Sequence, residues 1–220
     1  MVDIAINGGA SDVVRVIVIL TIITVAPFML LMMTCFTRII IVLGFLRHAM
    51  GLQQTPPTQV LVGIALFITF FVMSPVISEI NETALQPYND RQIETPEFLD
   101  RASAPIKEFM LAQTGIDEVE FFRQLSNDED VAALQGTELP LSIVVPAFVI
   151  SELKRAFLIG FLLFIPFLVI DTIVASTLMS MGMIMLPPVM ISLPFKVLLF
   201  IVVDGWGLLV RTLIMSFNSV

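Results

Sequence analysis

Apolar runs with few or no charged residues divide the chain into four segments that form two pairs. Residues 16–37 and 60–78 contain no charged side chain, and residues 139–170 and 172–203 contain only a few. A helix that crosses a bilayer needs about 20 consecutive apolar residues, and each run is of that order. Gly and Pro in the first connection and in the middle of the last run indicate turns. The pattern therefore predicts two long apolar helical hairpins.

A polar stretch separates the two hairpins and has a helical pattern of its own. Thr95 and Pro96 suit the start of a helix, and the apolar residues Phe98, Ile106 and Phe109 follow at helical spacing. We therefore expect an all-α integral-membrane protein in three parts. The parts are residues 1–78 (an N-terminal tail and the first hairpin), 79–138 (a helical insert) and 139–220 (the second hairpin and a C-terminal helix).

Composition supports the membrane class and places the charge in the insert. Of the 220 residues, 57% are hydrophobic and 14% are charged, whereas a soluble domain has about 25% charged residues. Residues 79–138 contain fourteen acidic and four basic residues, which accounts for more than the whole net charge of −8. An acidic insert argues against nucleic acid, whose binding requires clustered Lys and Arg. It disfavours anionic lipid headgroups for the same reason.

The residues that usually carry catalysis or metal binding are scarce. Cys35 is the only cysteine and His48 the only histidine, which leaves no disulfide, no cysteine or histidine metal cluster and no Ser-His-Asp arrangement. No Gly-rich phosphate loop is present. We expect neither an enzyme nor a bound metal or cofactor.

Basic residues near the first connection indicate an orientation in the membrane. Arg38 and Arg47 flank this side of the first hairpin, and Lys and Arg favour the cytoplasmic face. The insert and both chain termini are then expected on the opposite, outer side.

Several charged residues interrupt the apolar runs of the second half. They are Glu152, Lys154, Arg155, Asp171, Lys196 and Asp204. A charge at such a position is costly and needs a partner or a function. Because bases accompany the acids, salt bridges between helices or subunits are the favoured interpretation, and a proton relay is the alternative.

Methionines recur at every second position in the first half of the fourth apolar run. Met179, Met181, Met183 and Met185 would scatter over two faces of a helix, but they would point to one side of an extended backbone. Gly182 and the following Pro pair favour a broken backbone there. Flexible thioethers on a loop could form a deformable seal; ordinary lipid-facing or core methionines are the alternative.

Long stretches of the chain resemble a known family. Residues 28–43 read FMLLMMTCFTRIIIVL, and residues 56–77 contain the pattern PPxQVLxGxALF followed by FFVMSPVI. The second half adds SELKxAF at 151–157, IPFL at 165–168, LPFK at 193–196 and VDGW at 203–206. These residues resemble the FliP/SctR family of type III secretion export-gate subunits, and in particular its flagellar members.

The resemblance implies a core subunit of the flagellar type III protein export gate. In that family the subunits form a pentameric ring with FliQ and FliR, which unfolded flagellar proteins cross at the inner membrane. FliO assists assembly, and FlhA and FlhB complete the apparatus. The resemblance also implies location in the flagellar basal body, a periplasmic insert, and apolar hairpins that pack against sister subunits as well as lipid.

The resemblance assigns the methionine-rich loop the role of a gasket that closes the channel. It corresponds here to Met183, Ile184 and Met185. The family has three methionines, so Ile184 departs from the pattern; the seal would stay apolar, although β-branching stiffens that position. Two alternatives remain open: a virulence homologue of the same gate, and an ion-coupled transporter subunit that moves protons through Asp171 and Asp204.

Overall fold

Helices account for all the regular structure of the described chain. The computed structural model describes residues 10–126, 134–183 and 185–218, and this part contains nine α-helices and no strand. The helices are α1 (Ala10–Met32), α2 (Phe36–Ala49), α3 (Thr58–Ile80), α4 (Gln86–Asn89), α5 (Thr95–Gln113), α6 (Ile116–Leu125), α7 (Leu141–Ser180), α8 (Pro188–Val202) and α9 (Gly205–Asn218). The all-α prediction is confirmed.

The first apolar run is divided into two helices rather than one. α1 ends at Met32, and α2 begins at Phe36 after a short break. The Thr37 hydroxyl donates to the Leu31 carbonyl at 2.7 Å, across the break, and the Phe36 amide lies 3.4 Å from the Thr34 hydroxyl oxygen. Hydroxyl groups that bond to nearby backbone compete with the helical ladder, which gives a local reason for the interruption.

The second helix of the first hairpin extends into the predicted insert. α3 continues through a π-helical turn at Asn81–Leu85 into α4, so that helical structure runs from Thr58 to Asn89 over 32 residues. The remaining insert helices, α5 and α6, both pack against α7. Met110, Val144 and Phe148 are buried in the cluster that joins α5 to the start of α7. The insert is therefore attached to the second hairpin by its own apolar contacts.

The main core lies where α2 crosses α7. Ile39, Val42, Leu43 and Leu46 recur at spacings of three and four along α2 and are buried, as expected for the inner face of a helix. At the crossing, a Cβ placed on Gly160 of α7 would come within 2.5 Å of the Phe45 ring. Close packing of the two hairpins thus depends on a residue without a side chain.

Two helices of the described chain are long and apolar enough to cross a membrane. They are Thr58–Asn89 and α7, and the 40 residues of α7 extend about 60 Å at 1.5 Å per residue. α8 and α9 are long enough for a third span only when they are taken together, and the chain bends by 63° between them. The predicted second hairpin therefore ends in a bent pair of helices.

We predict that Gly160→Ala destabilises the protein, whereas Gly44→Ala does not. An added methyl group at position 160 must displace Phe45, and overpacking of this kind costs about 1–3 kcal/mol. A Cβ at Gly44 of α2 would have no neighbour within 4 Å, and Ala favours a helix over Gly by about 1 kcal/mol. The thermal unfolding midpoint in detergent measures both variants. Equal midpoints would contradict close packing at this crossing.

Candidate functional site

A completely buried ion pair joins the two hairpins. Arg38 of α2 and Glu152 of α7 are each 0% exposed. Arg38 Nε donates to Glu152 Oε2 at 2.9 Å, and Nη2 contacts Oε1, so the guanidinium and the carboxylate are paired through two bonds. Bidentate pairing is the geometry in which Arg and a carboxylate interact most strongly.

Two further elements contribute to the same cluster. Arg38 Nη2 also donates to Gln113 Oε1 of α5 at 3.1 Å, and Nη1 donates to the backbone carbonyl of Ser216 at 3.2 Å. The guanidinium carbon lies 3.8 Å from the centre of the Phe217 ring. Ser216 and Phe217 belong to the last turn of α9, whose carbonyl groups have no partner within the helix and favour a cation.

Gln113 connects this cluster to a second arginine. Its Oε1 accepts from Arg155 Nη1 at 2.9 Å as well as from Arg38, and its Nε2 donates to the Phe217 carbonyl at 3.1 Å. We call Arg38, Gln113, Glu152, Arg155 and the Ser216 and Phe217 carbonyls the arginine cluster. It joins α2, α5, α7 and α9 at one point, near the insert.

A second buried polar group lies toward the other end of the hairpins. Lys196 Nζ of α8 lies 2.7 Å from Asp171 Oδ2 of α7 and donates to the Ala49 carbonyl at 3.0 Å. The Ser192 hydroxyl donates to Asp171 Oδ1 at 2.5 Å. Ala49 is the last residue of α2, so Lys196 caps that helix where its dipole is negative. We call this group the lysine cluster.

Lys154 forms a more exposed contact between α7 and the insert. Its ammonium contacts Glu118 Oε1 of α6, and the hydroxyl of Ser151, one turn earlier, accepts the Gly115 amide at 3.0 Å. The hydrogen bond from Lys154 lowers the pKa of the Glu118 carboxyl below its ordinary value. Because the Lys154 side chain is largely exposed, water screens this pair.

Asp204 occupies the bend between α8 and α9 and makes no ion pair within the described chain. Its φ of +50° is left-handed, a conformation that Asp tolerates better than most side chains. A Cβ on Gly205 would meet the Phe200 ring at 2.2 Å, so the bend leaves no room for a side chain at that position. Asp204 and Gly205 are therefore the residues that shape the bend.

The methionine-rich loop lies at the tip of the α7–α8 hairpin. The Gly182 amide donates to the Met179 carbonyl at 3.0 Å and the Met183 amide to the Leu178 carbonyl at 2.9 Å, with φ of +74° at Gly182. This is a Schellman motif, which ends α7 and reverses the chain. Met183 is 44% exposed and Met185 98% exposed. Ile184 lies outside the described residues.

The four methionines are divided between the end of α7 and the loop. Met179 is the penultimate residue of α7 and Met181 its C-cap, so two of the four methionines belong to the helix end. Only residues beyond Gly182 leave the helix. The helix ends at Gly182, as expected, and it ends in the Schellman motif described above.

The arrangement fixes helices to one another. Within residues 10–126, 134–183 and 185–218, no group of three His, Cys, Asp or Glu side chains could hold a metal ion. The acids at Glu152 and Asp171 are each paired with a base. The sequence analysis assigned Arg38 to the first connection, but the structure buries it at the start of α2 against Gln113 of the insert. Of the two bases used for the orientation, only Arg47 lies near that connection. Gln113 was missing from the residues singled out by sequence.

The chain exposes far more surface than a compact protein of its size. Its accessible surface is 14418 Å², whereas a folded soluble monomer of 24.4 kDa exposes about 10,000 Å². Many of the exposed side chains are large and apolar, including Phe161 of α7, Ile201 of α8 and Phe67 of α3. Lipid or other protein chains must cover this surplus.

Comparison with known proteins identifies close relatives. The model of the FliP family matches residues 19–213. Flagellar biosynthetic protein FliP of Bacillus subtilis is 54% identical over 209 residues, which cover 95% of this chain and 94% of the relative. The protein of the same name from Caulobacter vibrioides is 50% identical over 211 residues, covering 96% and 79%, and that from Pectobacterium carotovorum is 50% identical over 216 residues, covering 97% and 83%.

We predict that Glu152→Leu is strongly destabilising and that Arg38→Met restores much of the loss. Removing one partner leaves a buried charge, which costs about 3–5 kcal/mol, whereas an apolar replacement of both partners can be nearly neutral. Thermal unfolding and limited proteolysis in detergent measure the two single variants and the double variant.

Lys154→Met is the matched control. It removes a charge two residues from Glu152, but the Lys154 side chain is largely exposed, so the change should affect stability little. A double variant that is no more stable than Glu152→Leu would show that the pair is not the source of the loss.

Proposed function

The chain belongs to the FliP family and is a component of flagellar protein export, and from that premise we propose that it forms part of the channel wall. In this proposal, unfolded flagellar proteins cross the inner membrane through a gate that the methionine-rich loop closes. The chain acts as a scaffold and a seal rather than as an enzyme, and it uses no cofactor.

The observation that carries this proposal is the apolar loop at the hairpin tip. Met183 and Met185 are exposed, and they follow a Schellman cap that fixes where the loop begins. Thioethers exposed at this tip gain no burial of their apolar surface in a single chain. In a ring, copies of the tip would meet around one axis, where flexible methionine side chains can adapt to each other and exclude water and ions. Ile184 is the third residue of the proposed gasket.

The surplus apolar surface supports assembly with other chains. We propose a pentameric ring of this chain with FliQ and FliR, with FlhA and FlhB as further components and FliO as an assembly factor. Standard protein interfaces bury about 800 Å² per partner, so the surplus surface can supply several of them. Lipid would cover what remains.

The charge distribution supports one orientation in the bacterial inner membrane, in the flagellar basal body. Both hairpin connections, residues 50–57 and 181–187, are distant along the helices from the acidic insert. We propose that the insert faces the periplasm. The residues outside the insert carry a small positive excess, which agrees with the positive-inside tendency near Arg47.

The charged residues of the second half act as contacts between elements in this proposal. Glu152, Lys154, Arg155, Asp171 and Lys196 each contact another helix or the end of one. Asp204 is exposed and is the residue that we propose for contact with a neighbouring subunit.

The two alternative functions have less support. Against proton transport through Asp171 and Asp204, Asp171 is neutralised by Lys196 and accepts from Ser192, and Asp204 lies at an exposed bend. Against a virulence role for the same gate, the relatives quoted above are named for flagellar biosynthesis.

We predict that replacing Met183, Ile184 and Met185 with glycine makes the closed complex permeable to ions and small solutes. The change removes the apolar side chains that would fill the axis. Replacement of all three by leucine is the control, because leucine preserves apolar volume and should keep the complex closed. Conductance or solute uptake in cells that make each variant is the measurement. Unchanged permeability of the glycine variant would contradict the gasket role.

We predict that Asp171→Asn and Asp204→Asn affect assembly rather than ion flux. A neutral amide at position 171 cannot balance the charge of Lys196, so the lysine cluster is weakened. Less FliQ and FliR should then copurify with the chain, while proton flux per assembled complex stays the same. Loss of proton flux in a fully assembled complex would instead support the transporter.

A further inference from the structure

α1 is an apolar helix whose surface has little cover within its own chain. Its principal packing contact is with α2, which follows it directly. Among its described side chains, Ile17, Leu20, Ile23 and Phe28 are all more than half exposed. Its two threonines offer no free donor, because their hydroxyls donate to the Ile17 and Leu20 carbonyls. The described surface of α1 therefore requires an apolar partner.

The same chain contains an apolar groove that no helix of its described part occupies. It lies between α3 and α5 and has a volume of about 720 Å³. Its walls include Leu66, Phe70, Met73 and Ile77 of α3 and Leu99 and Ile106 of α5. An apolar groove between two helices fits the apolar side of a third helix.

The helix α1 of the same chain is held away from this groove. Met29, near the end of α1, and Met33, in the break, form part of the groove lining, so α1 leaves the groove at its margin. The break is fixed by the bond from Thr37 to the Leu31 carbonyl and by burial of Met33. Folding α1 back into the groove would require both to be lost.

An acyl chain is a poorer occupant than a protein helix. One wall of the groove is α5, which belongs to the acidic segment and places Asp100 and Lys107 along the lining. Charged groups are costly beside hydrocarbon, which counts against a lipid tail along this wall.

We propose that α1 of one copy of this chain docks in the groove between α3 and α5 of the next copy. The two surfaces are different, so the contact is heterologous, and repetition of a heterologous contact generates a ring or a filament rather than a two-fold dimer. A standard interface of about 800 Å² on each side is well within the surplus surface of the chain. This inference rests on the proposed ring and names the segments that join its subunits.

Photocrosslinking from the α3 wall of the groove tests the inference. Benzoylphenylalanine replaces Phe70 in one of two coexpressed copies that carry different tags, in membranes that contain the full export complex. Phe70 is 57% exposed, so the probe reaches any occupant. The expected adduct contains both tags, and its crosslinked peptide comes from residues 16–29.

Phe157 of α7 is a matched control, because it is equally exposed but does not line the groove, and it should yield no α1 peptide. Crosslinks from Phe70 to α1 of the same chain, to phospholipid, or to no part of α1 would overturn the inference. The native mass of the wild-type complex distinguishes failure of the α1 contact from failure of the proposed ring. A ring without the α1 crosslink overturns only this inference, and absence of any oligomer overturns the proposed ring as well.

Filling the groove provides an independent measurement. Ser103 lines the groove, whereas Ser78 is an exposed residue of α3 that does not. Ser103→Trp should weaken the association constant between copies about tenfold, which corresponds to about 1.4 kcal/mol, and Ser78→Trp should leave it unchanged. The unfolding midpoint of each variant shows whether the chain still folds. Normal assembly of a folded Ser103→Trp variant would also overturn the inference.

Discussion

A buried guanidinium is the constraint on which the arrangement of the chain depends. Arg38 has no contact with water, and an unpaired charge in such a place costs several kcal/mol. Its donors are satisfied only where Glu152 of α7, Gln113 of the insert and the last turn of α9 all reach it. Segments separated by more than a hundred residues must therefore meet at one point. Apolar burial alone would hold the hairpins together, but it would not specify this register.

The lysine cluster provides a second fixed point closer to the methionine-rich loop. Lys196 joins α8 to Asp171 of α7 and to the end of α2, so the two helices that carry the loop are fixed to the first hairpin. The loop itself begins at a Schellman cap. The chain thus carries the methionine-rich loop at one end of the second hairpin and the acidic insert at the other. Its surplus apolar surface shows that the isolated chain is an incomplete structure, which lipid and neighbouring chains must complete.

Much of the helical structure was predictable because its causes are local. Apolar runs of membrane length, the Pro and Gly residues between them and the helical spacing in the insert gave the all-α class and the two hairpins. The charges of the second half were noticed because charge is rare in apolar runs. Gln113 could not be recognised, since a neutral side chain in an amphipathic helix has no unusual pattern. The break before α2 was also not predicted, because hydroxyl groups that bond to nearby backbone leave no periodic signal.

The amino-acid sequence by itself determined that this is a helical membrane protein with an acidic insert, a methionine-rich turn and a resemblance to export-gate subunits. These properties follow from hydrophobicity, backbone preferences and long ordered motifs, all of which are properties of neighbouring residues. Only the tertiary structure decided which charges pair, because partners such as Arg38 and Glu152 are 114 positions apart. It also decided that the described surface of α1 is left uncovered beside an apolar groove, since exposure depends on how all the other helices pack.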